Sequence, residues 1–147
     1  MKKNPDNLWE AGSVFNPNFL YYTAVKGVGR EKEVRIALAT SKDFKRWNKH
    51  GIVGPATGSK AALLFPEKIG GEYIMFYTWM PDRSLSSIMQ GRFSSLKDVL
   101  NPPKGMIANT LDSYEENVVF EPPVKTYRGL EAGAVPIKTK DGWLLIY

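Results

Sequence analysis

Short apolar segments alternate with polar, turn-rich segments along this chain, and its sequence shows no sustained helical period. β-Branched and aromatic residues are frequent in the apolar segments, which is typical of β-strands. Strands are expected at residues 19–25, 34–40, 72–79, 86–90, 118–120, 134–138 and 143–147. Residues 94–100 are the exception, since one or two helical turns are expected there. Many short strands with turn signals between them predict an all-β sandwich, barrel or propeller.

The end of the sequence is unusually apolar. Asp141-Gly142 is a strong signal for a tight turn, and the five residues after it, up to Tyr147, are predicted to form a buried strand. Because domains usually end in polar, exposed segments, we interpret the chain as a piece of a larger fold. The alternative is a C-terminal strand that completes the chain's own sheet.

An internal repeat supports the larger fold. Residues 66–77 and 136–147 both contain Pro-x-Lys, a glycine-containing turn, an aromatic residue, three apolar residues and a tyrosine. Residues 19–23 resemble the same strand. A propeller blade takes about 40–50 residues plus loops, so copies at this spacing are typical of successive blades. The alternative explanation is that any two β-hairpins resemble each other.

Composition narrows the class of protein. The chain has 147 residues, of which 43% are hydrophobic and 24% charged, so a fully disordered chain is excluded. It has no cysteine and one histidine, which argues against a disulfide scaffold and against a zinc site. We expect no metal, no signal peptide and no membrane span, and a cytoplasmic location that matches the lack of cysteine.

The formal charge of +5 raises the alternative of a nucleic-acid-binding domain. Basic residues alternate with aromatic ones in one segment, which contains Lys42, Phe44, Lys45, Arg46, Trp47 and Lys49. Such a surface can bind single strands by stacking and phosphate contacts. A solvated turn is the preferred interpretation, and Asp43 is expected to form that turn.

Four segments carry a resemblance to a known family: residues 9–17, 35–47, 64–75 and 132–147. Their most specific parts are Phe-Pro-Glu-Lys-Ile and Gly-Trp-Leu-Leu-Ile-Tyr. On these segments the chain resembles glycoside hydrolase family 130, the mannoside phosphorylases and related β-mannosidases. The resemblance implies a five-bladed β-propeller with the active site in its central channel. We therefore expect an all-β, partial β-propeller of about two to three blades, in which residues 1–147 form one incomplete domain and 1–18 a turn-rich N-terminal segment.

The chain also departs from the family pattern. The family's general acid is the aspartate of an Asp-Pro-Arg motif, which is absent from this sequence, and Pro81-Asp82-Arg83 has a different order and place. The chain also stops where the family continues with further blades. We interpret it as an internally shortened and C-terminally truncated relative whose catalytic acid is unknown, so that its enzymatic activity stays an open question.

Four residues are candidate binding residues, and the resemblance supports Lys68 among them. Lys68 matches the lysine of Phe-Pro-Glu-Lys and is the candidate phosphate ligand, with a solvated turn lysine as the alternative. Arg35 is the candidate second phosphate clamp, or an ordinary arginine at a loop edge. Glu67 is expected to bond a sugar hydroxyl or to pair with Lys68, and the family match favours a structural or supporting role for it. Glu131 is a candidate site carboxylate, with a plain surface position as the alternative.

The expected function is that of a β-mannoside phosphorylase, which converts β-mannosides and phosphate into mannose 1-phosphate, in a form that can be inactive. The alternative is a non-catalytic propeller fragment that binds a glycan or a protein; a β-mannosidase and a nucleic-acid-binding β domain rank below it. The expected partners are β-mannoside oligosaccharides and inorganic phosphate, with no cofactor. Open blade edges also predict a homo-oligomer or poor solubility.

Overall fold

The structure of the chain is a computed structural model, which describes residues 19–27, 29, 32–55, 58–80, 85–103, 114–123 and 129–147. The predicted N-terminal segment, 1–18, lies outside these residues. The described part contains nine strands: β1 (Phe19–Lys26), β2 (Glu33–Ser41), β3 (Trp47–Ile52), β4 (Ser59–Leu64), β5 (Tyr73–Trp79), β6 (Ser87–Phe93), β7 (Val118–Phe120), β8 (Ile137–Thr139) and β9 (Gly142–Leu144). It also contains two short helices, α1 (Leu96–Leu100) and α2 (Tyr114–Asn117).

The first sheet has the order β1-β2-β3 and is antiparallel throughout. Strand β2 lies in its centre, where Ile36 and Leu38 are fully buried. Strand β3 was not predicted as a strand, because Trp47-Asn48-Lys49-His50-Gly51-Ile52 lacks apolar alternation. It forms nonetheless because it pairs with the strong β2, with a register shift between Leu38 and Ala39. Its side chains are mostly exposed, as is usual for an edge strand.

A tightly hydrogen-bonded turn, residues 42–46, joins β2 to β3. The Asp43 carboxylate accepts the backbone N–H groups of Lys45 and Arg46, both at 2.9 Å, and these bonds hold the pKa of that carboxyl below its usual value of 3.8. The Ser41 hydroxyl accepts the N–H of Phe44 at 2.7 Å. The expectation that Asp43 forms this turn is confirmed. Phe44 adopts a positive φ of 59°, which is uncommon for a large side chain.

The second sheet has the order β4-β5-β6-β7 and is also antiparallel. Its central strand β5 is the most apolar of the chain, and β6 pairs with it from Tyr73↔Phe93 to Trp79↔Ser87. Helix α1 follows β6, as the sequence predicted for residues 94–100. The Ser95 side chain caps this helix by accepting the N–H of Asp98 at 3.2 Å, and Val99 is buried in the core.

Strands β8 and β9 form a separate two-stranded sheet, the terminal hairpin, around the predicted Asp141-Gly142 turn. Both strands are shorter than predicted. The expectation of a buried strand up to Tyr147 is wrong, since Leu144 is 52% and Tyr147 60% exposed. The reason is that, within the described part of the chain, this hairpin packs on another sheet through one face, which carries Trp143 and Leu145.

The three sheets form consecutive layers around two apolar cores. Alternate side chains of β5 enter different cores. Those of Tyr73, Met75, Tyr77 and Trp79 lie in the core shared with the first sheet. Ile74 and Phe76 point the other way and pack with the core of the terminal hairpin. The second sheet is therefore covered on both faces, as a blade is within a propeller, and the all-β prediction is confirmed.

Candidate functional site

Lys68 lies in the β4–β5 turn, residues 65–72. Backbone bonds between Ile69 and Glu72, of 2.9 and 3.1 Å, close this turn, and Gly70 and Gly71 supply positive φ angles of 61° and 86°. The Lys68 Nζ atom lies 4.5 Å from the centroid of the Tyr73 ring, in a cation–π contact. Among the described residues it has no carboxylate partner, so its positive charge is available to an anion.

Glu67 is in the same turn, and of the two expected contacts the pairing with Lys68 is not formed. Its carboxylate forms an ion pair with Lys138 of β8. The Lys138 Nζ also lies 5.9 Å from the Trp143 ring centroid. Both charged side chains are about half exposed, so solvent screens the pair. Glu67 therefore links the β4–β5 turn to the terminal hairpin.

Arg35 lies on β2, opposite Ala24 of β1. Its Nη2 atom forms an ion pair with Glu33, whereas its Nε atom is buried and has no hydrogen-bond partner among the described residues. A buried donor without an acceptor is costly, by about 1–3 kcal/mol, and is rare in folded proteins. Arg35 is thus a cation with one unused donor, held mostly inside the protein.

Glu131 forms an ion pair with Lys60 of β4, and half of its side chain is exposed. The carbonyl of Lys60 accepts the hydroxyl of Thr23, which joins this pair to β1. The next residue, Ala132, donates its N–H to the Thr78 hydroxyl at 2.8 Å, which fixes the backbone beside Glu131. The sequence reasoning did not identify Lys60; a lone cation at the start of an apolar strand is the signal that could have done so.

The structure does not bring the four predicted residues together. Arg35 lies beside the beginning of β4, because the N–H of its neighbour Ile36 contacts the Ser59 hydroxyl at 3.3 Å. Glu131 is at that same end through Lys60. Lys68 and Glu67 instead follow the last residue of β4, Leu64. No described contact joins the two groups, so Lys68 and Arg35 form two separate candidate anion sites.

A buried tyrosine adds an unused polar group to this region. The hydroxyl of Tyr21, on β1, is buried and has no partner among the described residues. Burial raises the pKa of Tyr21 well above its usual value of 10.0, so the phenol stays protonated at neutral pH. The described residues hold no cluster of three or more His, Cys, Asp or Glu suited to a metal ion. Among them there is also no helix long and apolar enough to cross a bilayer.

Comparisons with known proteins identify the relatives of this chain. No protein-family model matches it. The 1,2-β-oligomannan phosphorylase of Thermoanaerobacter sp. (strain X514) is 36% identical over 132 residues, which cover 87% of this chain and 38% of the relative. The β-1,2-mannobiose phosphorylase of the same organism is 33% identical over 129 residues, 86% of this chain and 37% of the relative.

A solved structure shows the same fold. The β-1,2-mannobiose phosphorylase of Listeria innocua, in complex with β-1,2-mannobiose, matches 85% of this chain and 35% of its own with a TM-score of 0.55 at 23% identity. The partial propeller prediction is thereby confirmed. The chain spans about a third of the length of the curated relatives that it matches. It is a homologue of the β-1,2-mannoside phosphorylases over most of its own length, which confirms its resemblance to glycoside hydrolase family 130.

Proposed function

We propose that this chain contributes to the phosphorolysis of β-1,2-linked mannosides. In this reaction the bond between the anomeric carbon and the glycosidic oxygen breaks, and a bond between that carbon and a phosphate oxygen forms. The leaving oxygen takes up a proton, and the products are mannose 1-phosphate and a shortened sugar. The observation that carries the proposal is the 36% identity to a 1,2-β-oligomannan phosphorylase over 87% of the chain.

Lys68 is the proposed phosphate ligand. Of the predicted site residues with a positive charge, Arg35 is already paired with Glu33, whereas Lys68 lies over the face of Tyr73 and has no carboxylate partner in the described part of the chain. An ammonium group without a carboxylate partner can accept a phosphate dianion without first breaking an ion pair. The Tyr73 ring restricts the lysine side chain and so lowers the entropy lost on binding. Arg35, with its unused Nε donor, is proposed as a second anion ligand at the other end of β4.

The proton donor of this reaction is not supplied by any motif in the chain, since Asp-Pro-Arg is absent from the sequence. Glu67 and Glu131 are the carboxylates proposed to bond sugar hydroxyls, and each is half exposed and held by a lysine. The lack of a proton donor, together with two carboxylates that can bond sugar hydroxyls, favours a second candidate function, in which the chain binds mannosides without turning them over. Inorganic phosphate is a substrate of the first candidate function only, and no further cofactor is proposed for either.

One experiment separates the two candidates. The chain is incubated with β-1,2-mannobiose and inorganic phosphate, and mannose 1-phosphate is measured, while calorimetry measures binding of each compound alone. Phosphorolysis predicts product at a rate that falls at least tenfold in Lys68→Ala and is unchanged in Lys140→Ala, an exposed lysine of the β8–β9 turn. Binding without product supports the second candidate. If neither binding nor product is observed, both candidate functions are contradicted.

Self-association and a cytoplasmic location complete the proposal. Apolar side chains of the terminal hairpin remain exposed, with Ile137 at 50% and Leu144 at 52%, and such surfaces favour association between copies. Sedimentation velocity over a concentration series tests this, since a monomer at every concentration contradicts it. The absence of cysteine from the sequence supports a reducing compartment. Localisation of a tagged full chain by fractionation tests that assignment.

A further inference from the structure

The β2–β3 turn exposes an aromatic side chain that the fold does not need in that position. Phe44 is 57% exposed and adopts a φ of 59°, a region that favours glycine and asparagine. Its ring contacts Trp47 edge to face, with 6.0 Å between the ring centroids. A large apolar side chain that is both exposed and conformationally strained suggests a contact surface, because neither its burial nor its backbone stabilises the fold.

Basic residues flank this aromatic pair in the sequence. Four basic residues lie within eight positions of the chain, and all of them are exposed: Lys42, Lys45, Arg46 and Lys49. None of them takes part in an ion pair among the described residues, whereas Arg35, Lys60 and Lys138 do. The one carboxylate between them, Asp43, is engaged by backbone N–H groups. The surface therefore carries an excess of positive charge that complements a polyanion.

The turn is also ordered before any ligand arrives. The Ser41 hydroxyl accepts the N–H groups of both Asp43 and Phe44, at 3.2 and 2.7 Å, and the Asp43 carboxylate accepts the next two. A turn fixed in this way loses little further backbone entropy on binding. We propose that this turn binds single-stranded nucleic acid, with bases stacked on Phe44 and Trp47 and phosphates held by the four cations. This activity is independent of the proposed phosphorolysis.

The chemistry of the ligand follows from the pairing of flat apolar rings with unpaired cations. Every base of a single strand offers a face for stacking on the aromatic rings, and every phosphodiester offers one negative charge to the cations. A single strand therefore uses both the rings and the cations. A duplex hides its base faces, and inorganic polyphosphate has none. A neutral mannoside would use the rings and leave the cations without partners. The arrangement therefore favours a single strand over these other ligands.

The test measures the anisotropy of a labelled oligothymidylate of about 12 nucleotides, a length within the usual site size of such surfaces. Phe44→Gly is expected to weaken binding about tenfold, because it removes one stacking platform, while the protein melts no lower because glycine accepts this φ. Phe44→Trp is expected to retain the affinity. Lys45→Gln is expected to reduce the slope of log K against log salt by about 0.7, which corresponds to one lost phosphate contact.

Lys140→Gln in the β8–β9 turn is the matched control, since it removes an exposed lysine away from the β2–β3 turn and is expected to change neither affinity nor slope. Absence of binding at low salt would overturn the proposal. Equal affinity for duplex DNA or for polyphosphate would also overturn it, because charge alone would then explain the contact. Loss of binding in Phe44→Gly with no change in phosphorolysis or mannoside binding would support it and separate it from the function proposed above.

Discussion

The two copies of the internal repeat have the same residue pattern and different surroundings. In the first copy, Tyr73 and Ile74 begin a strand whose side chains are almost all buried. In the second copy, the equivalent residues Trp143 and Leu144 lie in a three-residue strand and are half exposed and exposed. Both copies contain a glycine-containing turn before the strand, and both end in tyrosine. The strand pattern therefore does not determine burial in either copy.

Neighbouring layers account for the difference. Strand β5 has the first sheet against one face and the terminal hairpin against the other, so alternate residues enter two cores. Strand β9 has an apolar core on one face only, and Ile146 on the opposite face is 52% exposed. In a layered β fold each sheet is covered by the next sheet. A strand that is apolar on both faces is therefore buried only where a sheet packs against each face, and its sequence alone does not show that it is buried.

The largest expected effect is on the free energy of unfolding, and it distinguishes the two tyrosines that end the repeats. Tyr77 is fully buried, so Tyr77→Ala is expected to lower the free energy of unfolding by about 4 kcal/mol, through lost apolar burial and a cavity between the sheets. Tyr147, which is 60% exposed and stacks on Phe120 at 5.3 Å, is expected to lose about 1 kcal/mol or less in Tyr147→Ala. Urea denaturation measures both. Equal losses would contradict the role assigned to the neighbouring layers.

The sequence predicted most of the apolar strands because alternation and β-branched residues act locally. It missed β4, an apolar strand that pairs with β5. It also missed β3, which is polar and exists because β2 offers it a partner along its length. It identified Lys68 through a motif, but it did not show that Arg35 lies at the other end of β4, since that placement depends on contacts between Ile36 and Ser59. Pairing of Glu67 with Lys138, 71 positions away, likewise depends on the stacking of the layers and has no local signal.

The second effect concerns how the terminal hairpin is held. Trp143 packs edge to face on Phe65, with 5.2 Å between the ring centroids, and is half-buried. Trp143→Ala is expected to lower the free energy of unfolding by about 2–3 kcal/mol, less than a fully buried tryptophan would. In Trp143→Ala, amide hydrogen exchange is expected to be faster in β8 and β9 than in β5. Leu144→Ala, on the exposed face, is the matched control, and an equal effect there would mean that Trp143 does not dock the hairpin.

A smaller effect tests the polar link between the second sheet and the segment before the hairpin. The buried hydroxyl of Thr78 accepts the N–H of Ala132 at 2.8 Å. Thr78→Val keeps the shape of the side chain but leaves this N–H without an acceptor, at a cost of about 1.5 kcal/mol. Thermal melting measures the loss. Thr139→Val, which removes exposed turn bonds in the second repeat, is expected to cost less than about 0.5 kcal/mol, and a reversed order would contradict the comparison.

The smallest effect lies where the two repeats touch at the surface. The ion pair between Glu67 and Lys138 joins the turn of the first copy to the strand of the second, with both side chains about half exposed. A double-mutant cycle with Glu67→Gln and Lys138→Met is expected to give a coupling of about 0.5 kcal/mol that decreases as salt is raised, because solvent and ions screen the pair. A coupling that is larger and independent of salt would mean that the ion pair is shielded from solvent. The terminal hairpin would then be covered on both faces, which contradicts the comparison.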